Sequence, residues 1–375
     1  MKAMNKAIGV GSLIGIALSI AATAAQAQIK IGVAGPLTGS AHGTGEQQQA
    51  GAQRAIADIN ANGGVLGQQL EAIFVDDACE PKQAEAVARQ LVSQAVVFVD
   101  GHVCSAASVA ASPIYEAAGI MMISVSSNPK FTEQGRSNVF RIGGRDDQQG
   151  VVAGDYLADH YANKKIAIIN DGSIYAVGLV EQTKKQLNQR GVTEGLFESY
   201  APDQTDYPAL IEKLVNAKVD VVYAGGYASD IALIARLIKK KLPDLKLVSG
   251  DSLVTDDFLL IAGEAGEGAH FTFGPDFRLR PEAATVVAAL RNTDSFEPAG
   301  YTLQSYAAIQ AWAEAVQQAG SLESAGVIRA LHGGAFDTVI GKIGFDKKGD
   351  VTGISPFIWY AWGKKTFAPV GSVGQ

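Results

Sequence analysis

Ser105, Ser126, Ser127 and Asn128 offer hydroxyls and an amide, Tyr175 and Tyr227 offer aromatic faces, and Asp251 offers one acid. Each follows a predicted strand, the place from which a parallel sheet presents side chains to a ligand. Hydroxyls and free N–H groups at a helix start suit a carboxylate. An isolated acid opposite them suits an ammonium, and tyrosine faces suit an apolar body or a cation. That polarity is the one a zwitterion needs. Each residue also has a plainer reading. Ser105 serves equally as a helix cap, Ser126 to Asn128 before Pro129 as a turn, and the tyrosines as edge packing. Asp251 after Gly250 could cap a helix around Thr255 to Leu260. The loop after the first strand adds Thr38, Gly39, Ser40 and Thr44. These patterns alone leave the ligand open.

Residues for covalent or metal chemistry are sparse. There is no G-x-S-x-G, no H-E-x-x-H and no G-x-x-x-x-G-K-[ST]. The first strand runs into Gly35-Pro36-Leu37-Thr38-Gly39-Ser40, which lacks the G-x-G-x-x-G of a dinucleotide site. His42, His102, His160, His270 and His332 are scattered, without zinc spacing. Asp76-Asp77 could serve acid–base work or calcium, but reads more simply as a solvated strand end. Binding is favoured over catalysis, and no cofactor or metal is called for.

The elements that position these residues alternate in period between 2 and 3.6. Strands are predicted at Ile29–Val33, Leu70–Val75, Ala95–Val99 and Ile120–Ser124. Helices are predicted between them at Gly45–Asn60, Pro81–Ser93 and Ala106–Ala118. The rhythm restarts with helices at Val151–His160, Ala176–Gln189, Tyr207–Ala217 and Asp230–Lys240. Strands at Lys165–Ile169, Glu194–Tyr200, Val219–Ala224 and Lys246–Ser249 interleave with them. Two such series predict an α/β protein with two doubly wound parallel sheets. Helices at Pro281–Arg291 and Thr302–Ala319 follow, then an aromatic strand at Pro356–Trp362.

The first residues are an address. Lys2 and Lys6 precede an uncharged stretch from Ala7 to Ile29, and Ala25-Gln26-Ala27 reads as a cleavage site. The alternative is an uncleaved anchor; the Gly/Ala-rich stretch and polar Thr23, Gln26 and Gln28 favour cleavage. No cysteine lies there to take a lipid. Export gives Cys79 and Cys104, an even count, the reading of a disulfide over a catalytic or zinc-binding thiol. The chain has 375 residues and a formal charge of −7, and removing the two lysines leaves it more acidic. No basic run exceeds Lys239-Lys240-Lys241, so nucleic acid is not the expected partner.

Several strings carry a family resemblance. They are Asp76-Asp77-Ala78-Cys79-Glu80-Pro81, Gly101-His102-Val103-Cys104-Ser105, Gly144-Arg145-Asp146-Asp147-Gln148-Gln149-Gly150, Tyr223-Ala224-Gly225-Gly226-Tyr227 and Phe345-Asp346-Lys347-Lys348-Gly349-Asp350. The chain resembles the periplasmic leucine/isoleucine/valine-binding proteins of ABC importers along its whole length after residue 27. The resemblance implies two α/β lobes joined by three hinge crossovers near Arg145, Gly274 and Gly353. Lobe 1 would be 28–145 plus 275–353, and lobe 2 would be 146–274 plus 354–375. It implies a Cys79–Cys104 disulfide and a monomeric periplasmic carrier that closes on an amino acid and delivers it to a membrane permease. Ser105 would hold the ligand carboxylate, with backbone groups from Ser126, Ser127 and Asn128 and the Asn128 side chain. Tyr175 and Tyr227 would close over it, and Asp251 would pair with the ammonium. The chain departs from the family at Thr44, where tyrosine is common, and at Ser124-Val125-Ser126-Ser127-Asn128. Leucine, isoleucine or valine is the ligand implied. Another amino acid, a small amide, an aromatic acid or a sensing role stays open.

Overall fold

The computed structural model describes residues 28–354 and 357–371; the proposed signal segment 1–27 lies outside them. The first series runs β1 (Ile29–Gly35), α1 (His42–Ala61), β2 (Leu70–Asp76), α2 (Pro81–Ser93), β3 (Phe98–Gly101), α3 (Ser105–Ala117), β4 (Met121–Ser124) and β5 (Val139–Arg141). These strands form one parallel sheet in the order β2-β1-β3-β4-β5. β1, β3, β4 and β5 are buried apart from Lys30 and mostly apolar, as strands covered on both faces must be; Asp100, Ser124 and Arg141 are their buried polar members. α1 stops at Asn62, and Gly63 and Gly64 follow with φ of 95° and 78°, a turn open to residues without Cβ.

The second series runs α4 (Asp146–Tyr161), β6 (Ile166–Asn170), α5 (Ile174–Gln189), β7 (Leu196–Ser199), α6 (Pro208–Ala217), β8 (Val221–Gly225), α7 (Ala228–Lys241), β9 (Lys246–Ser249), α8 (Asp256–Ala262) and β10 (His270–Phe273). Its five strands pair in parallel in the order β10-β9-β8-β6-β7. The chain then supplies α9 (Ala284–Asn292), α10 (Thr302–Ala319), α11 (Ser324–Gly333) and a small antiparallel sheet of β11 (Ala335–Thr338), β12 (Gly341–Phe345) and β13 (Val351–Thr352). α10 packs on α1 and against β3 and β4, with Trp312 stacked on Phe98 at 4.8 Å. β14 (Ile358–Trp362) and β15 (Phe367–Pro369) then return to the second sheet, antiparallel, beside β10. The chain thus passes between the two sheets three times: between β5 and α4, between β10 and α9, and between β13 and β14.

Differences from the predicted elements have local causes. β3 begins at Phe98 rather than Ala95. Ala95 has φ of 58°, and the N–H groups of Ala95 and Val96 turn back onto the carbonyls of Val92 and Leu91. α4 starts at Asp146, ahead of Val151, because its first turn is polar and carries no apolar period. The helix predicted from Pro281 is a 3₁₀ turn, Pro281–Ala283, before α9. β5, β10, α11 and the small sheet were not predicted. β5 is three residues long, too short to show a period, and β13 only two.

Candidate functional site

The carboxyl ends of the two parallel sheets face each other across a narrow space of about 30 Å³. The first lobe contributes Thr44 from the start of α1, Val103, Cys104 and Ser105 from the β3–α3 junction, and Val125 and Ser127 after β4. It also contributes Tyr301, the residue before α10. The second lobe brings Tyr175 at the start of α5, Tyr227 after β8, and Asp251 and Ser252 after β9. This closed space is far smaller than an open ligand site. Thr44, Ser105, Ser127, Tyr175, Asp251 and Tyr301 are all buried, so the lobes are closed over the space.

Asp251 is the centre of the polar network. Its Oδ1 accepts from the Tyr175 hydroxyl at 2.8 Å and from Gln149 Nε2 at 3.2 Å. Its Oδ2 accepts from the Tyr301 hydroxyl at 2.6 Å. Asp251 lies in a 3₁₀ turn, Asp251–Leu253, and does not cap α8; Thr255 does that, accepting from the Asp257 N–H at 3.4 Å. The Tyr175 and Tyr227 rings lie 5.5 Å apart, tilted by 34°. Burial, then the nearby Asp251 and Asp146 carboxylates, push the Tyr175 phenol well above its usual range. Burial and Asp251 do the same to Tyr301. These phenols stay protonated and act as donors.

The opposite end is built on the β3–α3 junction. The expected capping role of Ser105 does not hold: Cys104 precedes the helix, and Ser105 is its first residue. The Ser105 hydroxyl accepts from the Asn128 N–H at 3.3 Å. The Cys79–Cys104 disulfide, with Cα atoms 5.3 Å apart, ties this junction to the end of β2. Asp77 is not a solvated strand end. It is fully buried, with Oδ2 2.5 Å from His102 Nδ1, while His102 Nε2 lies 3.0 Å from the Tyr115 hydroxyl. The Ser108 and Ser124 hydroxyls both donate to the His102 carbonyl, at 3.0 and 2.5 Å.

Two expected contact residues point elsewhere. Ser126 turns its hydroxyl back to the Val103 carbonyl at 3.0 Å and to Ser108 at 2.5 Å, completing the serine cluster that holds the junction. Asn128 Nδ2 donates to the Ile174 carbonyl at 2.8 Å, and its Oδ1 accepts from the Lys130 N–H at 3.0 Å. It joins the lobes instead of lining the space. The carbonyls of Ser126 and Asn128 are taken by Arg141 Nη1, at 2.5 and 3.0 Å. Thr44 does line the space, with its own hydroxyl donating to the Ala41 carbonyl at 2.6 Å.

Sequence reasoning missed Tyr301, Gln149 and Arg141. Tyr301 immediately precedes the predicted helix Thr302–Ala319, which was the available signal. Arg141 is fully buried and bonds Asp350 Oδ1 at 2.7 Å and Thr132 Oγ1 at 2.7 Å. Arg145 Nη1 bonds the other Asp350 oxygen at 2.6 Å. Against burial, the two arginines hold the Asp350 carboxyl below its usual range. Among the described residues, no group of three or more His, Cys, Asp and Glu side chains is placed to hold a metal ion. No described helix is long and apolar enough to cross a membrane.

The chain is similar to known proteins. An "Amino acid binding protein" of Pseudomonas aeruginosa is 42% identical over 363 residues, covering 96% of this chain and 95% of its own. The "Leu/Ile/Val-binding protein homolog 2" of Brucella abortus is 42% identical over 340 residues, covering 90% and 91%. Among solved structures, the branched-chain amino acid transporter substrate binding protein LivJ of Streptococcus pneumoniae, in complex with isoleucine, superposes with a TM-score of 0.81. It is 25% identical over 91% of this chain and 98% of its own. The model of the family described as "Periplasmic binding protein" matches residues 28–366. With two facing α/β lobes and a buried polar space between them, the chain belongs to the periplasmic binding protein family.

Proposed function

We propose that this protein is the extracytoplasmic receptor of an ABC importer and binds an amino acid of the leucine, isoleucine and valine class between its lobes. The observation that carries this reading is the Asp251 carboxylate, which both lobes hold at one end of the buried space. At the other end lie the Ser105 hydroxyl and the first turn of α3, donors for an α-carboxylate. The Tyr175 and Tyr227 rings and Val103 and Val125 supply apolar walls between them. The names of the relatives agree with this class of ligand. The ligand binds one lobe, bridges both and shifts the open–closed equilibrium; no covalent step is needed. The lobes comprise 28–145 with 275–353, and 146–274 with 354–375. The working form is a periplasmic monomer, cut after Ala27, that hands its ligand to a membrane permease.

A thermal-shift screen of residues 28–375 against amino acids, small amides and aromatic acids tests this. Leucine, isoleucine or valine at 100 times its Kd raises stability by about 2.7 kcal/mol. Asp251→Asn weakens leucine binding more than tenfold by calorimetry, since it removes the buried ammonium's charge partner. A shift with amides or aromatic acids only, or unchanged leucine affinity in Asp251→Asn, overturns the assignment.

A further inference from the structure

Asp146 opens α4, where the chain first passes between the lobes. It is fully buried, and its backbone N–H donates to the Ser127 carbonyl at 2.9 Å. Neither of its carboxylate oxygens has a hydrogen-bond partner. Two more buried acceptors close by are also unpaired. One is Gln149 Oε1, one turn along α4, whose Nε2 goes to Asp251 and to Thr272 Oγ1. The other is Gln304 Oε1, one turn into α10 from Tyr301. Gln304, Tyr301 and Asp251 together line an open groove on the hinge side. Acceptors therefore outnumber donors where the Asp251 network meets the hinge.

The charged and titratable groups around Asp146 do not relieve this. Asp251 faces it from the turn after β9 and adds like charge. Asp147 on α4 is also an acid. Arg141 on β5 attracts it but spends its bonds on Asp350, Thr132 and the Ser126 and Asn128 carbonyls. Arg145 is bonded to Asp147, Glu133 and Asp350. Asp146 sits directly behind the space: its N–H meets Ser127, which lines it, and Gln149, one turn along, bonds Asp251. Burial, then Asp251, raises the Asp146 pKa well above the usual carboxylate range; the neighbouring Ser127 hydroxyl works the other way. A buried carboxylate with no donor nearer than the Ser127 hydroxyl is stabilised by a proton or by a facing cation.

We propose that Asp146 is the second carboxylate of the cation subsite, neutral in the empty receptor and ionised when a ligand ammonium arrives beside Asp251. Capture then releases one proton, from the Asp146 carboxyl to solvent, and a ligand without a positive head group is refused. This rests on the amino-acid reading above and adds a requirement for the ammonium itself. Asp146 acts here as a positioning and selecting residue, through the field it shares with Asp251.

The test is calorimetry of leucine binding at neutral pH in two buffers of different ionisation enthalpy, which counts protons. The wild type is expected to release close to one proton per leucine and to bind leucine more tightly as pH rises. It is expected to ignore 4-methylpentanoate, which is leucine without its amine. Asp146→Asn, checked for folding by circular dichroism, is expected to bind leucine at least tenfold more weakly and to release no proton. Wild-type binding without proton release, or the same release and affinity in Asp146→Asn, overturns the proposal and leaves the amino-acid reading standing. The wild-type proton count decides even if the variant does not fold. Failure of the wild type to bind any amino acid overturns both.

Discussion

Asp100 sits in β3 with its carboxylate held by one donor, the Ser305 hydroxyl of α10 at 2.5 Å. Burial pushes its pKa up to about 8. In the unfolded chain an aspartate ionises near about 3.9. The folded state therefore binds a proton that the unfolded state has released across that interval. Stability from neutral Asp100 is complete below about pH 4 and is lost as pH rises to about 8. Scanning calorimetry from pH 5 to 8 is expected to show a steeper fall in Tm for the wild type than for Asp100→Asn. At this scale the sequence shows some site residues and hides others for a clear reason. Tyr175, Tyr227 and Asp251 follow strand ends of one βα series, so alternation alone points at them. Tyr301 reaches the site only after the chain returns to the first lobe, which no local period reports.

Elements are joined at the hinge by Arg141. From β5 it reaches the turn after β4 through two carbonyls, and the loop before β13 through Asp350. Arg141 and Asp350 also form a parallel bridge between their backbones. Removing one partner of a buried pair is costly because the other stays buried. Arg145 still holds Asp350 in its absence. Arg141→Met is therefore expected to lose about 3 kcal/mol, the low end for such a pair. Urea unfolding would show it as a lower midpoint with an unchanged slope. The long periodic helices α2 and α10 have the predicted ends, as does β9. Short strands such as β5 and β10 owe their form to neighbours already in place, and so left no pattern of their own.

As a whole the molecule is held shut by contacts far apart in sequence. Asn128 reaches Ile174, Gln47 Nε2 reaches the Val254 carbonyl at 2.9 Å, and Tyr301 reaches Asp251. At the mouth, His42 Nδ1 lies 3.2 Å from Asp257 Oδ2. With the space enclosed, a ligand enters only when these contacts part. Small-angle X-ray scattering is expected to give a larger radius of gyration without ligand, shrinking on addition of leucine. An unchanged radius would mean that the empty receptor is already shut. Two sheets could be foreseen from the alternation of periods. The interlocking of α9, α10 and α11 with the first sheet could not, because it depends on the chain coming back.

That return has a consequence for how the protein is made. The first sheet ends at Arg141, yet α10, which covers β3 and β4 and supplies Ser305 and Trp312, starts only at Thr302. Until those residues leave the ribosome, Phe98 and Asp100 have no cover on that face. The first lobe cannot finish folding during translation before nearly the whole chain exists. A nascent chain kept from premature folding in this way stays threadable, which suits passage through a translocation channel.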